Sequence, residues 1–221
     1  MKLFISALIK FLVGLLMVAA LIFLPAGTLA YPGGLLFLGL LFVPMLIMGA
    51  VMLLRAPDLL RKRLDAKEKQ GDQKGVVAIS GLMFLGGFVL AGLDFRFSWS
   101  DVPLPAVIAA SVIFLVGYAL YAEVLRENAY LSRTVKVEEG QTVISTGLYG
   151  VVRHPMYTAT ILMFLSLPLV LGSWYALIPF AAYPVLMVIR IRGEEKLLTV
   201  ELAGYEEYKK KVKYRLIPFI W

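Results

Sequence analysis

Residues 4–24 read FISALIKFLVGLLMVAALIFL, an apolar run that contains one charged side chain, Lys10. A helix needs about 20 such residues to cross the roughly 30 Å hydrocarbon core of a bilayer. Lys10 lies near enough to the end of the run for its amino group to reach the interface. Because the apolar core of a secretory signal is shorter, about 7–15 residues, we interpret the run as a retained membrane helix.

Further apolar stretches follow, and the whole chain is 60% hydrophobic and 17% charged, well outside the usual composition of a soluble domain. The last two stretches are short and are separated only by Gly172 and Ser173, which predicts a tight helical hairpin. The sequence therefore predicts an all-α, polytopic integral membrane bundle of about six segments. The six stretches are Phe4–Leu24, Leu35–Leu54, Val76–Leu93, Pro105–Tyr121, Thr158–Leu171 and Trp174–Ile189.

The distribution of basic residues supports six crossings. With that count, 21 of the 22 Lys and Arg residues fall on the side that holds both termini, and the opposite side keeps Arg96. Lys and Arg collect on the cytoplasmic side, so both termini and the helix-end loops between them are expected to be cytoplasmic. The net charge of +7 then reflects topology and attraction to anionic membrane lipids. Because the chain shows no basic stripe with interleaved aromatic residues, we expect no nucleic-acid partner.

The cysteine and histidine counts exclude several kinds of chemistry. The sequence has no cysteine and a single histidine, His154. Disulfides, a thiolate nucleophile and Cys-based or multi-histidine metal sites are therefore excluded. The sequence also lacks a glycine-rich dinucleotide fingerprint and a Walker A loop, so a nucleotide-like cofactor would have to be held by the loops at the helix ends.

An amphipathic segment begins at Pro57, which suits the first turn of a helix. Leu60 and Leu64 share one face of this segment, which also carries the basic run Arg61–Arg63. The pattern predicts an interfacial amphipathic helix over residues 57–70. Anchoring to the membrane surface and direct contact with a substrate are both compatible with such a helix.

The segment Val151–Tyr157 leads directly into the fifth apolar stretch. Pro155 fits the first helical position, where its missing N–H costs nothing, and this places His154 at or near the helix cap. Free N–H groups and the positive end of the helix dipole favour a bound carboxylate or phosphate there. An interfacial histidine beside Arg153 that binds lipid phosphate is an equally good interpretation.

Arg190 and Glu194 lie where the sixth apolar stretch ends, four residues apart and so on one helix face. They could form an ordinary surface ion pair, worth at most about 1 kcal/mol. Arg190 nevertheless follows a long apolar run at membrane depth or just outside it. Ionisable side chains there are costly and usually functional, which favours a role for Arg190 beyond the ion pair.

A series of motifs follows in order along the second half of the chain. They are Gln141–Tyr149, Arg153-His154-Pro155-Met156-Tyr157, Arg190-x-x-x-Glu194-Glu195-x-x-Leu198, Tyr205-x-x-Tyr208 and Pro218. In this order and spacing they resemble the isoprenylcysteine carboxyl methyltransferase family, integral membrane enzymes that use S-adenosylmethionine. The resemblance covers roughly residues 117–221, which would form the methyltransferase core, and residues 1–116 would form the N-terminal membrane helices of one domain.

The resemblance implies an S-adenosylmethionine site in the cytoplasmic helix-end loops. It places Arg190 at the reaction centre, where it would orient an acceptor carboxylate, with Glu194 beside it. A carboxylate acceptor arrives ionised and needs no general base, and methyl transfer then depends chiefly on positioning. The lipophilic acceptor stays open among a prenylcysteine-type carboxylate, another lipid carboxylate, a thiol and an amine headgroup. The cofactor-binding residues implied are Gln141, Thr142, Val143, Ile144, Gly147, Tyr149, His154, Pro155, Met156, Tyr157 and Glu194.

Two other classes of function remain open. NADPH-dependent membrane sterol-type reductases are similar in a His-Pro-x-Tyr motif and a Tyr-Arg-x-Ile-Pro ending, here His154–Tyr157 and Tyr214–Pro218. They typically carry an Arg-Asp pair and a cysteine ahead of the tyrosines, whereas this chain has Glu194-Glu195 and no cysteine. A non-catalytic lipid-binding or transport protein would carry ionisable residues inside its spans, and only Lys10 lies well within one. A membrane methyltransferase is therefore the favoured prediction.

Overall fold

The computed structural model describes residues 1–65, 71–132 and 134–221, without the side chain of Asp72. All regular structure in these ranges is helical, with no strand, so the predicted all-α class is confirmed. A 3₁₀ turn, Gly147–Gly150, precedes the sixth helix. The helices are α1 Lys2–Ala26, α2 Pro32–Arg55, α3 Pro57–Leu64, α4 Gly71–Phe97, α5 Leu104–Glu127, α6 Pro155–Val170, α7 Leu177–Phe180, α8 Tyr183–Glu201 and α9 Tyr205–Lys211.

Within the described residues, four helices, α1, α2, α4 and α5, are long and apolar enough to cross a membrane by length and composition. The last two apolar stretches are built differently. Helix α6 has 16 residues, fewer than the roughly 20 that a straight span requires. It turns at Gly172 and Ser173 through the short α7 into α8, and α6 packs against α8. The hairpin expected from the sequence is therefore present, with a short first arm.

Close helix packing holds the bundle together, with α1 lying against α4 and α5 against α6. A Cβ at Gly92 of α4 would lie 2.5 Å from the carbonyl oxygen of Ile22, and one at Gly117 of α5 would lie 2.7 Å from the side chain of Met163. Small residues at these crossings therefore let the backbones approach, as is common between membrane helices.

The buried carboxylate of Asp94 ties together the loops at one end of the bundle. It accepts hydrogen bonds from the backbone N–H of Ser100 (2.7 Å), from the Ser100 hydroxyl (2.6 Å) and from the hydroxyl of Ser173. Ser173 in turn accepts a hydrogen bond from the N–H of Ala176 at 3.0 Å. One side chain thereby fixes the α4–α5 connection and the turn after α6.

Helix α3 lies at the opposite end of the bundle. Its side chains Leu59 and Leu60 are buried, and the amino group of Lys10 donates a 2.6 Å hydrogen bond to the carbonyl of Leu64. The amphipathic helix expected over residues 57–70 is helical over Pro57–Leu64, and residues 66–70 of that prediction lie outside the described residues.

Candidate active site

A cavity opens at the end of the bundle where α5 ends and α6 begins. Its walls come from the loop after α5, the segment 141–144, the start of α6, the second half of α8 and α9. Arg190 lines it, as do nine of the eleven residues predicted to bind the cofactor. These nine are Gln141, Thr142, Val143, Ile144, Tyr149, His154, Met156, Tyr157 and Glu194.

The other two, Gly147 and Pro155, are not among the residues that line the cavity. Gly147 has φ +49°, and a Cβ there would overlap the carboxylate of Glu127. That carboxylate accepts a 3.1 Å hydrogen bond from the N–H of Leu148, so the glycine permits a tight turn. Pro155 is the first residue of α6 and follows the cap residue His154, as predicted. Both residues shape the backbone next to the cavity.

Arg190 and Glu194 are bridged by the phenol of Tyr157. Nε of Arg190 donates to the Tyr157 hydroxyl oxygen at 3.1 Å, and this hydroxyl donates to Oε2 of Glu194 at 2.6 Å. Arg190 is only 8% exposed. The pair is therefore no simple surface salt bridge, because a buried guanidinium, a phenol and a carboxylate follow one another along the cavity wall.

Glu195 is a second charged centre, and the sequence reasoning did not assign it a role. Its Oε1 lies 2.7 Å from Nε of Arg153 and 3.3 Å from Nε2 of His154, and its Oε2 accepts from Nε of Arg215 at 2.8 Å. Burial by itself would raise the pKa of the Glu195 carboxyl, but the hydrogen bonds from His154, Arg153 and Arg215 outweigh burial and hold that pKa well below its usual range. The carboxylate is therefore ionised at neutral pH.

The segment 212–216 runs beside the start of α6 and fixes it. The N–H groups of Arg153 and His154 donate to the carbonyls of Tyr214 and Arg215, both at 2.9 Å. Nη1 of Arg153 reaches the carbonyls at positions 212 and 213, at 2.7 and 2.8 Å. These bonds define the backbone at His154 and so the position of the α6 N-terminus in the cavity wall.

Helix α3 supports the loop after α5. Nη1 of Arg63 donates to the carbonyl of Ser132 at 3.0 Å, and its Nη2 contacts the hydroxyl of Tyr121. Lys62 lies 5.4 Å from the ring centroid of Tyr130, within the range of a cation–π contact. Because Tyr130 and Ser132 line the cavity, the amphipathic helix contributes to the site. No local motif in the sequence indicated this loop.

The hydroxyl of Tyr205 is unusual among the buried polar groups. Tyr205 is 4% exposed and lines the cavity, yet within the described ranges its oxygen has no hydrogen-bond partner. Burial, reinforced by the carboxylates of Glu195 and Glu194, raises the pKa of this phenol, so it stays a neutral donor. A buried hydroxyl left unpaired costs about 1–3 kcal/mol. It therefore suits a ligand that supplies a hydrogen-bond acceptor.

Comparison with known proteins finds a family model that matches part of the chain. The phospholipid methyltransferase family model matches residues 105–204. The match begins in α5 and includes the segment 141–144, the start of α6 and both Arg190 and Glu194. Over this region the chain is similar to membrane methyltransferases, and with α1, α2, α4 and α5 of spanning length it is an integral membrane protein.

The curated relatives include a different activity. A Delta(14)-sterol reductase of Methylotuvimicrobium alcaliphilum is 25% identical over 139 residues, which cover 55% of this chain and 32% of that protein. The mouse Delta(14)-sterol reductase TM7SF2 is 32% identical over 91 residues, 40% of this chain and 22% of the relative. YpbQ of Bacillus subtilis, described as uncharacterized, is 31% identical over 90 residues, 40% of this chain and 54% of its own length. The chain thus matches a third or less of these reductases and about half of YpbQ.

Proposed function

We propose that the chain transfers a methyl group from S-adenosylmethionine to a lipophilic acceptor, with a prenylcysteine-type carboxylate as the substrate class. The observation that carries this proposal is the bridged set Arg190, Tyr157 and Glu194 in one wall of a cavity that residues 141–144 also line. The family match over residues 105–204 supports it. In the proposed topology the cavity and both termini face the cytoplasm, as the basic residues favour.

The residues present fit this cofactor. In the proposal, residues 141–144, Tyr149 and the start of α6 hold it, and the anionic Glu194 suits its sulfonium charge. The hydroxyl of Tyr205 supplies a donor that, among the described residues, has no other use. When bound, the cofactor supplies a methyl group on a sulfur that leaves as a neutral thioether.

Arg190 would hold the acceptor. Its planar guanidinium matches a carboxylate in bidentate geometry, and Tyr157 fixes the Nε edge of that group. A carboxylate attacks in its ionised form, so no proton has to be removed during transfer. The task of the protein is then to align the two reactants and to exclude water, and alignment can supply a large part of the acceleration.

Sterol-type reduction with NADPH is the second candidate. It is favoured by one observation, the similarity to the Delta(14)-sterol reductases at 25% and 32% identity. Under that proposal the same cavity would take NADPH, and the two candidates therefore differ in the ligand that the purified protein binds.

Calorimetric titration of the detergent-purified protein with S-adenosylhomocysteine, with NADPH in parallel, separates the candidates. We expect S-adenosylhomocysteine to bind, and Tyr205→Phe to weaken it by about 3- to 10-fold, the worth of one neutral hydrogen bond, without lowering the melting temperature. Tyr175→Phe, in an exposed side chain outside the cavity, is the matched control. Binding of NADPH alone would favour the reductase, and no heat with either ligand would favour a non-catalytic lipid-binding protein.

The acceptor class is tested with methyl-labelled S-adenosylmethionine and N-acetyl-S-farnesylcysteine. We expect the label to be released as methanol by mild alkali, because a carboxyl methyl ester is hydrolysed by base. With phosphatidylethanolamine vesicles as the alternative acceptor, label that alkali does not release as methanol would mark a methylated amine and contradict the carboxylate assignment.

A further inference from the structure

Gln73, near the start of α4, reaches the face of α8 that carries Arg190. Its side chain is buried, with 3% exposed. The amide Nε2 donates to the backbone carbonyl of Arg190, and the amide oxygen accepts from Nη1 of the same residue, both at 3.4 Å. One amide thus contacts the backbone and the guanidinium of a single arginine.

Gly193 provides the space for this amide. A Cβ at position 193 would overlap Nε2 of Gln73, and Gln73 supplies the described atoms that lie within 4 Å of such a Cβ. Glycine inside a helix costs about 1 kcal/mol relative to alanine. The glycine in the middle of α8 is therefore explained by the amide that lies against it.

Two of the hydrogen bonds made by the Arg190 guanidinium come from different parts of the chain. Tyr157 holds Nε from α6, within the matched region 105–204, whereas Gln73 holds Nη1 from α4, outside that region. A planar guanidinium held at both Nε and Nη1 cannot rotate about its long axis without losing one of the two bonds.

We infer that Gln73 is a positioning residue that sets the plane of the Arg190 guanidinium and so the direction in which an anionic acceptor is held. This inference rests on the proposed methyl transfer. It predicts that loss of the amide lowers kcat for the acceptor while binding of the donor product is kept, because misplaced reacting groups cost about 10- to 100-fold in rate.

The test compares four variants in the labelled-methyl assay: Gln73→Ala, Gly193→Ala, the double variant, and Gly75→Ala as a control on α4 with no described atom near its Cβ. We expect Gln73→Ala and Gly193→Ala each to lower kcat by about tenfold or more, with S-adenosylhomocysteine affinity within about twofold. Because Gly193→Ala acts by displacing the amide, it should add no further loss in the Gln73→Ala background.

The other possible results would overturn either the positioning role of Gln73 or the proposed function. Full turnover by Gln73→Ala, or losses that add in the double variant, would overturn the positioning role while the proposed function stands. A wild-type protein that transfers no label would overturn the proposed function and this inference with it. Should Gln73→Ala not fold, Gly193→Ala carries the test, since alanine favours the helix.

Discussion

Arg153 and Glu195 form a buried ion pair in which Nε of the guanidinium lies 2.7 Å from Oε1 of the carboxylate. Their side chains are 5% and 8% exposed. The same carboxylate also takes His154 and Arg215 as partners, so one group joins the start of α6, the middle of α8 and the segment 212–216. The cavity wall depends on this junction.

Replacing Glu195 with alanine should lower the free energy of unfolding more than a substitution at the surface does. Breaking a buried pair leaves the guanidinium of Arg153 uncompensated, which costs about 3–5 kcal/mol. Thermal or denaturant unfolding of the protein in detergent measures this loss of stability. Glu201→Ala, at an exposed position of the same helix, should stay within about 0.5 kcal/mol, and equal stability of the two variants would contradict the assignment.

Acid should weaken the fold in a window set by Glu195. The pKa of Glu195 in the folded protein lies well below the ordinary value of 4.5. The stabilising effect of this carboxylate is therefore complete at pH values above about 4.5. As the pH falls below about 4.5, the unfolded chain takes up a proton that the folded protein does not. The free energy of unfolding then decreases by up to about 1.4 kcal/mol per pH unit. Between pH 6 and 3, the free energy of unfolding should fall more steeply with decreasing pH for wild type than for Glu195→Gln. An equal pH dependence of the two proteins would exclude this carboxylate as the cause.

Arg63→Ala should weaken binding of S-adenosylhomocysteine. The change releases Ser132 in the loop that lines the cavity, and a hydrogen bond from a charged group is worth about 1.5–3 kcal/mol. We therefore expect at least about a tenfold loss of affinity by calorimetry. Arg61→Ala, which breaks an exposed pair with Asp58 on the same helix, should leave affinity unchanged; a loss as large as that of Arg63→Ala would point to a general effect of helix charge.

Tyr157→Phe should slow turnover. The change removes the hydroxyl between Arg190 and Glu194, and hydrogen bonds to charged groups are worth about 1.5–3 kcal/mol. The rate should fall by about 10- to 100-fold, with the same amount of folded protein by size-exclusion chromatography. Wild-type turnover would show that the phenol does not hold Arg190.

Asp94→Ala should destabilise the end of the bundle away from the cavity. Three donors on Ser100 and Ser173 lose their common acceptor, at about 1–3 kcal/mol for groups left unsatisfied. Melting temperature measures the effect. Asp101→Ala, an exposed neighbour, provides the comparison. Affinity for S-adenosylhomocysteine should be unchanged, because this cluster lies outside the cavity.

The apolar runs predicted the long helices α1, α2, α4 and α5 well, because a bilayer demands long apolar segments, whereas the run Trp174–Ile189 is divided between α7 and α8. Pro155 also predicted the start of α6 correctly, because proline suits the first position of a helix. The supports of the site were not predicted. Gln73 meets Arg190, and Arg63 meets Ser132, across 117 and 69 positions of the chain. Such partners are chosen by packing of distant segments, and no local pattern encodes them.

The hydrogen bonds between residues 212–216 and the start of α6 also have a consequence for the synthesis of the chain, because they can form only when both segments have been made. Translation adds residues 212–216 after every helix from α1 to α9. Arg153 and His154 therefore have no backbone partner from this segment until it has left the ribosome. The start of α6 thus gains these backbone partners only after all the described helices have been synthesised.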